Sequence, residues 1–196
     1  MKRILFFALM LVSTLVSAQN NLTTLQYSMG FGTGDLGDHI SKTSFRGFTI
    51  DYRKLVQPNV GVGVDLGWNV FYEEMPYATY TTNGSTDITG KQYRYQNQFP
   101  MLVAADYYLK PGEKINPFAG LGIGTMYSLR NTDMNLYTLE QDAWHFALRP
   151  EVGALIQASP DFSFSVSAKY YHGFEAGDLA SQGYFTLNFG FVFDGE

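Results

Sequence analysis

The sequence contains no cysteine. Disulfide cross-links, thiol nucleophiles and cysteine metal centres are therefore excluded, and the fold must be held by hydrogen bonds and packing. Charge is also scarce. Asp, Glu, Lys and Arg make up 16% of residues, against roughly 25% in an average soluble domain. The balance is acidic, with a formal net charge of −5. No basic patch of the kind that grips a phosphate backbone is present, so nucleic acid is not an expected partner. Long apolar runs are missing too. After Gln19 every apolar stretch is broken within a few residues by Gly, Asp, Asn or Arg, whereas a spanning helix needs about 20 apolar residues.

Aromatic residues, by contrast, make up 16% of the chain, and mean hydropathy is near zero at −0.11. A chain rich in aromatics and poor in charge, with no long apolar run, fits a membrane β-barrel, in which apolar and polar residues alternate. Its 196 residues suit one domain. The first segment reads as a processing signal. Lys2 and Arg3 form a positive head, Ile4 to Val16 is apolar, and Val16, Ser17 and Ala18 supply small residues before Gln19. Residues 1–18 are expected to be a signal peptide and 19–196 the folded domain. Losing Lys2 and Arg3 makes the remaining chain more acidic.

Period-2 alternation, the mark of a strand with two unlike faces, occurs eight times, over about 23–33, 45–55, 59–72, 92–109, 117–129, 144–157, 162–173 and 184–193. The third segment is the clearest. Val60, Val62, Val64, Leu66, Trp68, Val70 and Tyr72 share one face; Gly61, Gly63, Asp65, Gly67 and Asn69 share the other. In the last, Phe185, Leu187, Phe189, Phe191 and Phe193 oppose Thr186, Asn188 and Gly190. The connections alternate in length. Those around 56–58, 110–116 and 159–161 are short. Those around 34–44, 73–91, 130–143 and 174–183 are longer and polar. Short turns at one end and long loops at the other are the habit of outer-membrane barrels, and an even strand number returns both termini to the periplasm.

The environment of the two faces decides the class. The polar face of segments 1, 3 and 5 is dominated by glycine, with serine and one charge, Asp65, which suits the crowded interior of a narrow barrel. The opposite face is nearly continuous Val, Leu, Ile, Phe, Tyr and Trp, which suits lipid. A soluble sandwich would instead place those aromatics in a core. Closure pairs every backbone group, as hydrocarbon requires. The expected fold is all-β: a closed antiparallel eight-stranded up-and-down transmembrane β-barrel. Pro100 and Pro150 fall within strands, and each removes a ladder donor, so a bulge or local distortion is expected at both.

The segment Gln98-Phe99-Pro100-Met101-Leu102 to Tyr107-Tyr108-Leu109, a short turn, and Asn116-Pro117-Phe118-Ala119-Gly120-Leu121-Gly122 resembles the central hairpin of the small outer-membrane β-barrel family of the OmpA/OmpX type. Arg149 to Tyr171, with its Ser-Pro-Asp turn, resembles the next hairpin. Thr186 to Phe193, with Phe191 and Phe193, is similar to the family's C-terminal assembly signal, although Gly190 is displaced and Asp194-Gly195-Glu196 follow it. The resemblance covers the whole mature chain. It implies a cell outer-membrane location and contact with the outer-membrane assembly machinery through the last strand.

The charges assigned to the lumen face are Asp51, Arg53, Asp65, Arg94, Asp106, Arg149, Glu151 and Lys169. Buried charges must pair or neutralise, so they are expected to form a salt-bridged network that plugs the tube. No acid–base–nucleophile set is visible around His39, His145 or His172, although His39 and Ser41 are close in sequence. Glu73–Glu74 and Asp35–Asp38 are loop carboxylate pairs of the type that touches lipopolysaccharide-bridging divalent cations, and solvated carboxylates are the simpler reading. No catalytic residue, metal or cofactor is expected. The favoured function is a structural or surface-interaction barrel. The alternatives are a narrow porin-like channel and a rim-active enzyme of lipid A or phospholipid. Expected partners are outer-membrane lipid and lipopolysaccharide, with the protein a monomer.

Overall fold

A computed structural model describes residues 21–82, 86–134, 137–159 and 162–195. The expected signal peptide lies outside the described residues. Eight strands close into a barrel in chain order: β1 (Asn21–Gly34), β2 (Gly47–Gln57), β3 (Val60–Thr82), β4 (Thr86–Tyr108), β5 (Ile115–Met134), β6 (Tyr137–Ser159), β7 (Phe162–Gly173) and β8 (Gln182–Gly195). All neighbours are antiparallel. Closure is made by β1 on β8, in register from Asn21↔Gly195 to Gly34↔Gln182. The barrel thus has no open edge where it crosses the membrane.

The alternation in sequence becomes the two surfaces of the wall. Val103 is 62% exposed, while its neighbours Leu102 and Ala104 are buried. The same inversion holds for Leu25 against Gln26, Ile50 against Asp51, and Val152 against Glu151. Greasy side chains point outward, and polar or small ones fill the interior. Outward aromatics link into a belt across five strands, Phe48–Trp68–Phe99–Tyr127–Trp144, with centroid separations of 5.0 to 6.2 Å. Such belts mark the level of the lipid headgroups.

The prolines act more quietly than their positions suggest. At Pro100 the β3–β4 ladder skips from Leu66↔Met101 to Asn69↔Gln98 without changing register. At Pro150 the β6–β7 ladder skips from Leu148↔His172 to Glu151↔Lys169, again in register. Each missing N–H interrupts pairing on one side only, and neither proline forms a bulge. The bulge in β3 falls between Met75 and Ala78, around Pro76, where the ladder can spare a donor.

The main departure is at the outer end. In segments 73–91 and 130–143, expected to be polar loops, the described residues 73–82, 86–91, 130–134 and 137–143 continue the strands. β3, β4 and β6 each run 23 residues and β5 runs 20, while β2 has 11 and β7 has 12. Tyr, Thr and Ile favour pleated pairing and match across the hairpin: Tyr80 opposes Ile88, and the hydroxyls of Thr79 and Thr89 lie 2.9 Å apart. The hairpin tips, 83–85 and 135–136, lie outside the described residues. β3–β6 therefore stand above the membrane as a four-stranded blade. Among the described residues, β2 pairs with β3 only as far as Asn69, and β7 pairs with β6 only as far as Ala147. One more backbone bond follows on each side, from the Val70 N–H to the Arg46 carbonyl at 2.8 Å and from the Phe174 N–H to the Phe146 carbonyl at 2.9 Å; farther out, the two outer edges of the blade have no strand partner among the described residues.

The loop after β1 also has structure. It forms a short helix, α1 (Asp35–His39), which turns into the mouth of the barrel.

Candidate functional site

The lumen is filled in layers. Nearest the short turns, Leu22, Tyr108, Phe118 and Val192 form an apolar floor, with Leu55 and Leu155 against it. Above it lies an ionic layer. The Arg53 Nε donates to Asp106 Oδ2 at 2.6 Å, and Arg53 also pairs with Asp65. Arg149 bridges Asp65 and Glu151. The Lys169 Nζ lies 3.8 Å from Glu151 Oε1 and donates to Asp51 Oδ2 at 2.6 Å. The result is one alternating chain across five strands: Asp106–Arg53–Asp65–Arg149–Glu151–Lys169–Asp51. Both ends are acids, so carboxylates outnumber cations by one. Arg149 and Lys169 are fully buried. Gly122 makes room for the former: a Cβ there would lie 3.2 Å from the Arg149 Nε.

Seven of the eight charges read from sequence thus meet in one layer. Arg94 does not. It faces the interior but sits at the outer mouth, where its Nε donates to Gln92 Oε1 at 2.7 Å and Nη1 to the His39 carbonyl at 2.8 Å. Twelve positions separate it from Asp106 on β4, about 40 Å of strand. Alternation fixes the face of a residue but not its height.

Neutral polar groups fill the next level. Gln26 donates to Ser165 Oγ at 2.9 Å and accepts from Thr49 at 3.1 Å, while Ser28 donates to Asn188 at 2.6 Å. The outer third is apolar again. Leu36 and Ile40, one helical turn apart on and just after α1, are fully buried with Phe71, Leu102, Met126, Ala147, Tyr171 and Tyr184. Tyr171 and Tyr184 stack at 4.6 Å. The helix lies close against β1 because both contact positions are glycine: a Cβ on Gly37 would fall 2.8 Å from the Gly32 carbonyl oxygen.

Polar ties hold this plug in place. Asp35 pairs with Arg130 and accepts from Gln182 Nε2 at 3.1 Å. Gln96 donates to Gln182 at 2.6 Å and accepts from Arg130 at 3.0 Å. The Ser41 N–H donates to Glu73 at 2.7 Å, and its hydroxyl donates to the same carboxylate at 3.0 Å. Burial pushes the His39 imidazole down to about 4, aided by Arg130 and Arg94 and opposed by Asp35 and Glu73. Burial alone would raise Asp35, but hydrogen bonds from Arg130 and Gln182 outweigh it and hold the carboxyl below its usual range.

The candidate chemistry is dispersed. The Ser41 hydroxyl is bound to Glu73 rather than to a histidine nitrogen. His145 faces the lumen, with Nδ1 2.7 Å from the Phe174 carbonyl. His172 stacks on Tyr170. Glu74 pairs with Lys91, and no group of three potential metal ligands occurs among the described residues. Sequence reasoning missed the plug, the Arg130–Asp35–Gln182 cluster and the inward aromatics Phe71, Tyr171 and Tyr184. Arg130 lay just past the expected end of its strand. The spacing of Leu36 and Ile40 in a polar loop was the available clue to the plug.

A closed antiparallel barrel of eight strands, apolar outside and ionic within, with short turns at one end, is an integral β-barrel of the bacterial outer membrane. Both ends of the strand order lie at the periplasmic side. The chain belongs to the outer membrane protein beta-barrel domain family, whose model matches residues 4–193. No curated protein sequence matches it. Among solved structures, it is similar to the attachment invasion locus protein Ail of Yersinia pestis, solved with the heparin analogue sucrose octasulfate. The identity is 14% and the TM-score 0.56, over 90% of this chain and all of that one. OprG from Pseudomonas aeruginosa gives 14% and 0.56, over 91% and 97%. The outer membrane protease OmpT from Escherichia coli gives 9% and 0.51, over 92% and 98%. At these identities the likeness shows the fold.

Proposed function

We propose that this protein is a sealed outer-membrane barrel, without enzymatic activity, whose working surface is its extracellular blade. The observation that carries this reading is the filled lumen: the ionic chain and the apolar plug stack one above the other. An eight-stranded interior is just wide enough for its own side chains.

The blade supplies the surface. Its two unpaired edges offer backbone donors and acceptors to an extended segment. Tyr77 and Tyr137, near the outer end of the blade, are 71% and 61% exposed. Acids dominate the outer end, where Asp38, Glu73, Glu74, Asp133, Glu140, Asp142, Glu175 and Asp178 outnumber Lys42, Arg46, Lys91, Arg94 and Arg130. This field disfavours a polyanion such as the one carried by the Yersinia pestis barrel and favours a cationic partner. Against an enzymatic role stands the scatter of histidines, serine and carboxylates over separate levels.

Planar-bilayer recording tests the seal. The purified barrel should give no steady openings, and regular conductance steps would overturn the reading. Proteoliposomes carrying the protein should retain polylysine in preference to heparin at low salt, and the reverse preference would remove the acidic blade as the binding surface.

A further inference from the structure

A groove of about 540 Å³ runs down the outer wall where β2, β3 and β4 approach the outer mouth. Phe48, Trp68, Val70 and Tyr95 line it, with Arg46 and Asn97 as its polar groups. This face looks toward lipid, not toward the lumen.

The walls are held rigid. Trp68 packs edge-on to Phe48 at 6.0 Å and stacks on Phe99 at 5.9 Å. Its indole N–H donates to Asn97 Oδ1 at 3.1 Å. At the upper end the backbone of Arg46 is fixed, because its carbonyl accepts from the Val70 N–H at 2.8 Å. The guanidinium sits 5.8 Å above the Tyr72 ring. Two residues separate Arg46 from Phe48 on the same face, about 7 Å of strand. The arginine thus stands one step above the aromatic belt, at headgroup level. Lys91, also on the outer wall, is neutralised by Glu74. Arg46 forms no ion pair among the described residues, so its charge is available.

We infer that this groove holds one lipid of the outer leaflet, a lipid A-type phosphorylated acyl glucosamine. Its phosphate binds the Arg46 guanidinium, and one acyl chain lies along Phe48, Val70 and Trp68. The match is by charge and position: a forked cation suits a phosphate, and the apolar trough begins directly beneath it. The inference concerns the outer wall and does not depend on the lumen being sealed.

Native mass spectrometry of the detergent-solubilised full barrel tests it. Lipid A, its dephosphorylated form and phosphatidylglycerol are offered separately. The wild type should retain lipid A in preference to both others. Arg46→Gln should lower lipid A retention about three- to tenfold, the scale of one net hydrogen bond at a partly exposed site. Trp68→Ala should also lower it, whereas Lys110→Gln at the opposite end should not. Heat-modifiable gel mobility confirms that each variant is folded. Undiminished retention by Arg46→Gln, equal retention of dephosphorylated lipid A, or equal retention of phosphatidylglycerol would each overturn the assignment.

Discussion

Replacing Arg149 by Met removes the central cation of the lumen chain. Arg149 is fully buried and bridges Asp65 and Glu151. After the change Asp65 keeps Arg53, but Glu151 keeps only Lys169 at 3.8 Å. Four buried acids then share two cations. Removing one partner of a buried ionic group destabilises by roughly 3–5 kcal/mol, because the partner charge stays buried and uncompensated. Asp106→Asn provides the contrast. Asp106 ends the chain, and Asn keeps an oxygen acceptor for Arg53. The substitution leaves three acids against three bases and should cost less than about 1 kcal/mol. Arg149→Met combined with Glu151→Gln should recover a good part of the loss, since contacting sites couple. Urea unfolding in lipid vesicles, followed by emission from Trp68 and Trp144 on the outer wall, measures all four proteins. The reasoning fails if Arg149→Met lies within about 1 kcal/mol of wild type, or if Asp106→Asn is as costly.

Leu36→Ser combined with Ile40→Ser should release the plug yet leave the bilayer silent, because the ionic layer remains below; steady openings in single-channel recording would place the seal in the plug instead. Docking of the plug should weaken in acid. The docked imidazole of His39 stays neutral down to about pH 4, while a free one takes up a proton near 6.5. The contribution is therefore complete above about pH 6.5 and is lost as pH falls toward 4, with Asp35 adding a loss in the same direction as its carboxylate protonates. Hydrogen exchange of residues 35–41, corrected for intrinsic rate, should accelerate over that window, and a flat profile would contradict it. Gly37→Val should displace α1 from β1 and raise exchange of the same residues while leaving β4–β6 protected; unchanged protection of 35–41 would show that the close approach to Gly32 is not needed.

The wall of the barrel could be read from sequence because a period of two survives any change of register. Val60 to Tyr72 announce one face and Asp65 the other, whatever strand lies beside them. Height within the tube is a different quantity. It depends on which residues of two strands meet, as Glu151 meets Lys169, and no single strand contains that information. This is why Arg94 was grouped with Asp106 although twelve positions of β4 separate the two. The blade was obscured for a related reason. Around Met75–Ala78 a bulge shifts the parity of β3, so the alternation that marks its inner half is lost just where the strand leaves the membrane. The pairing of Tyr80 with Ile88 that sustains it is a cross-strand property. The plug helix has only five residues, too few to show a period.

The ties of the plug also impose an order of events. Its residues belong to the first loop of the chain, yet their partners are Glu73 on β3, Arg94 on β4, Arg130 on β5 and Gln182 on β8. Sequence separations run from 32 residues for Ser41–Glu73 to 147 for Asp35–Gln182. Contacts this distant along the chain form late. The first loop to be made is thus the last to settle, and during insertion the mouth stays open until β8 has joined β1.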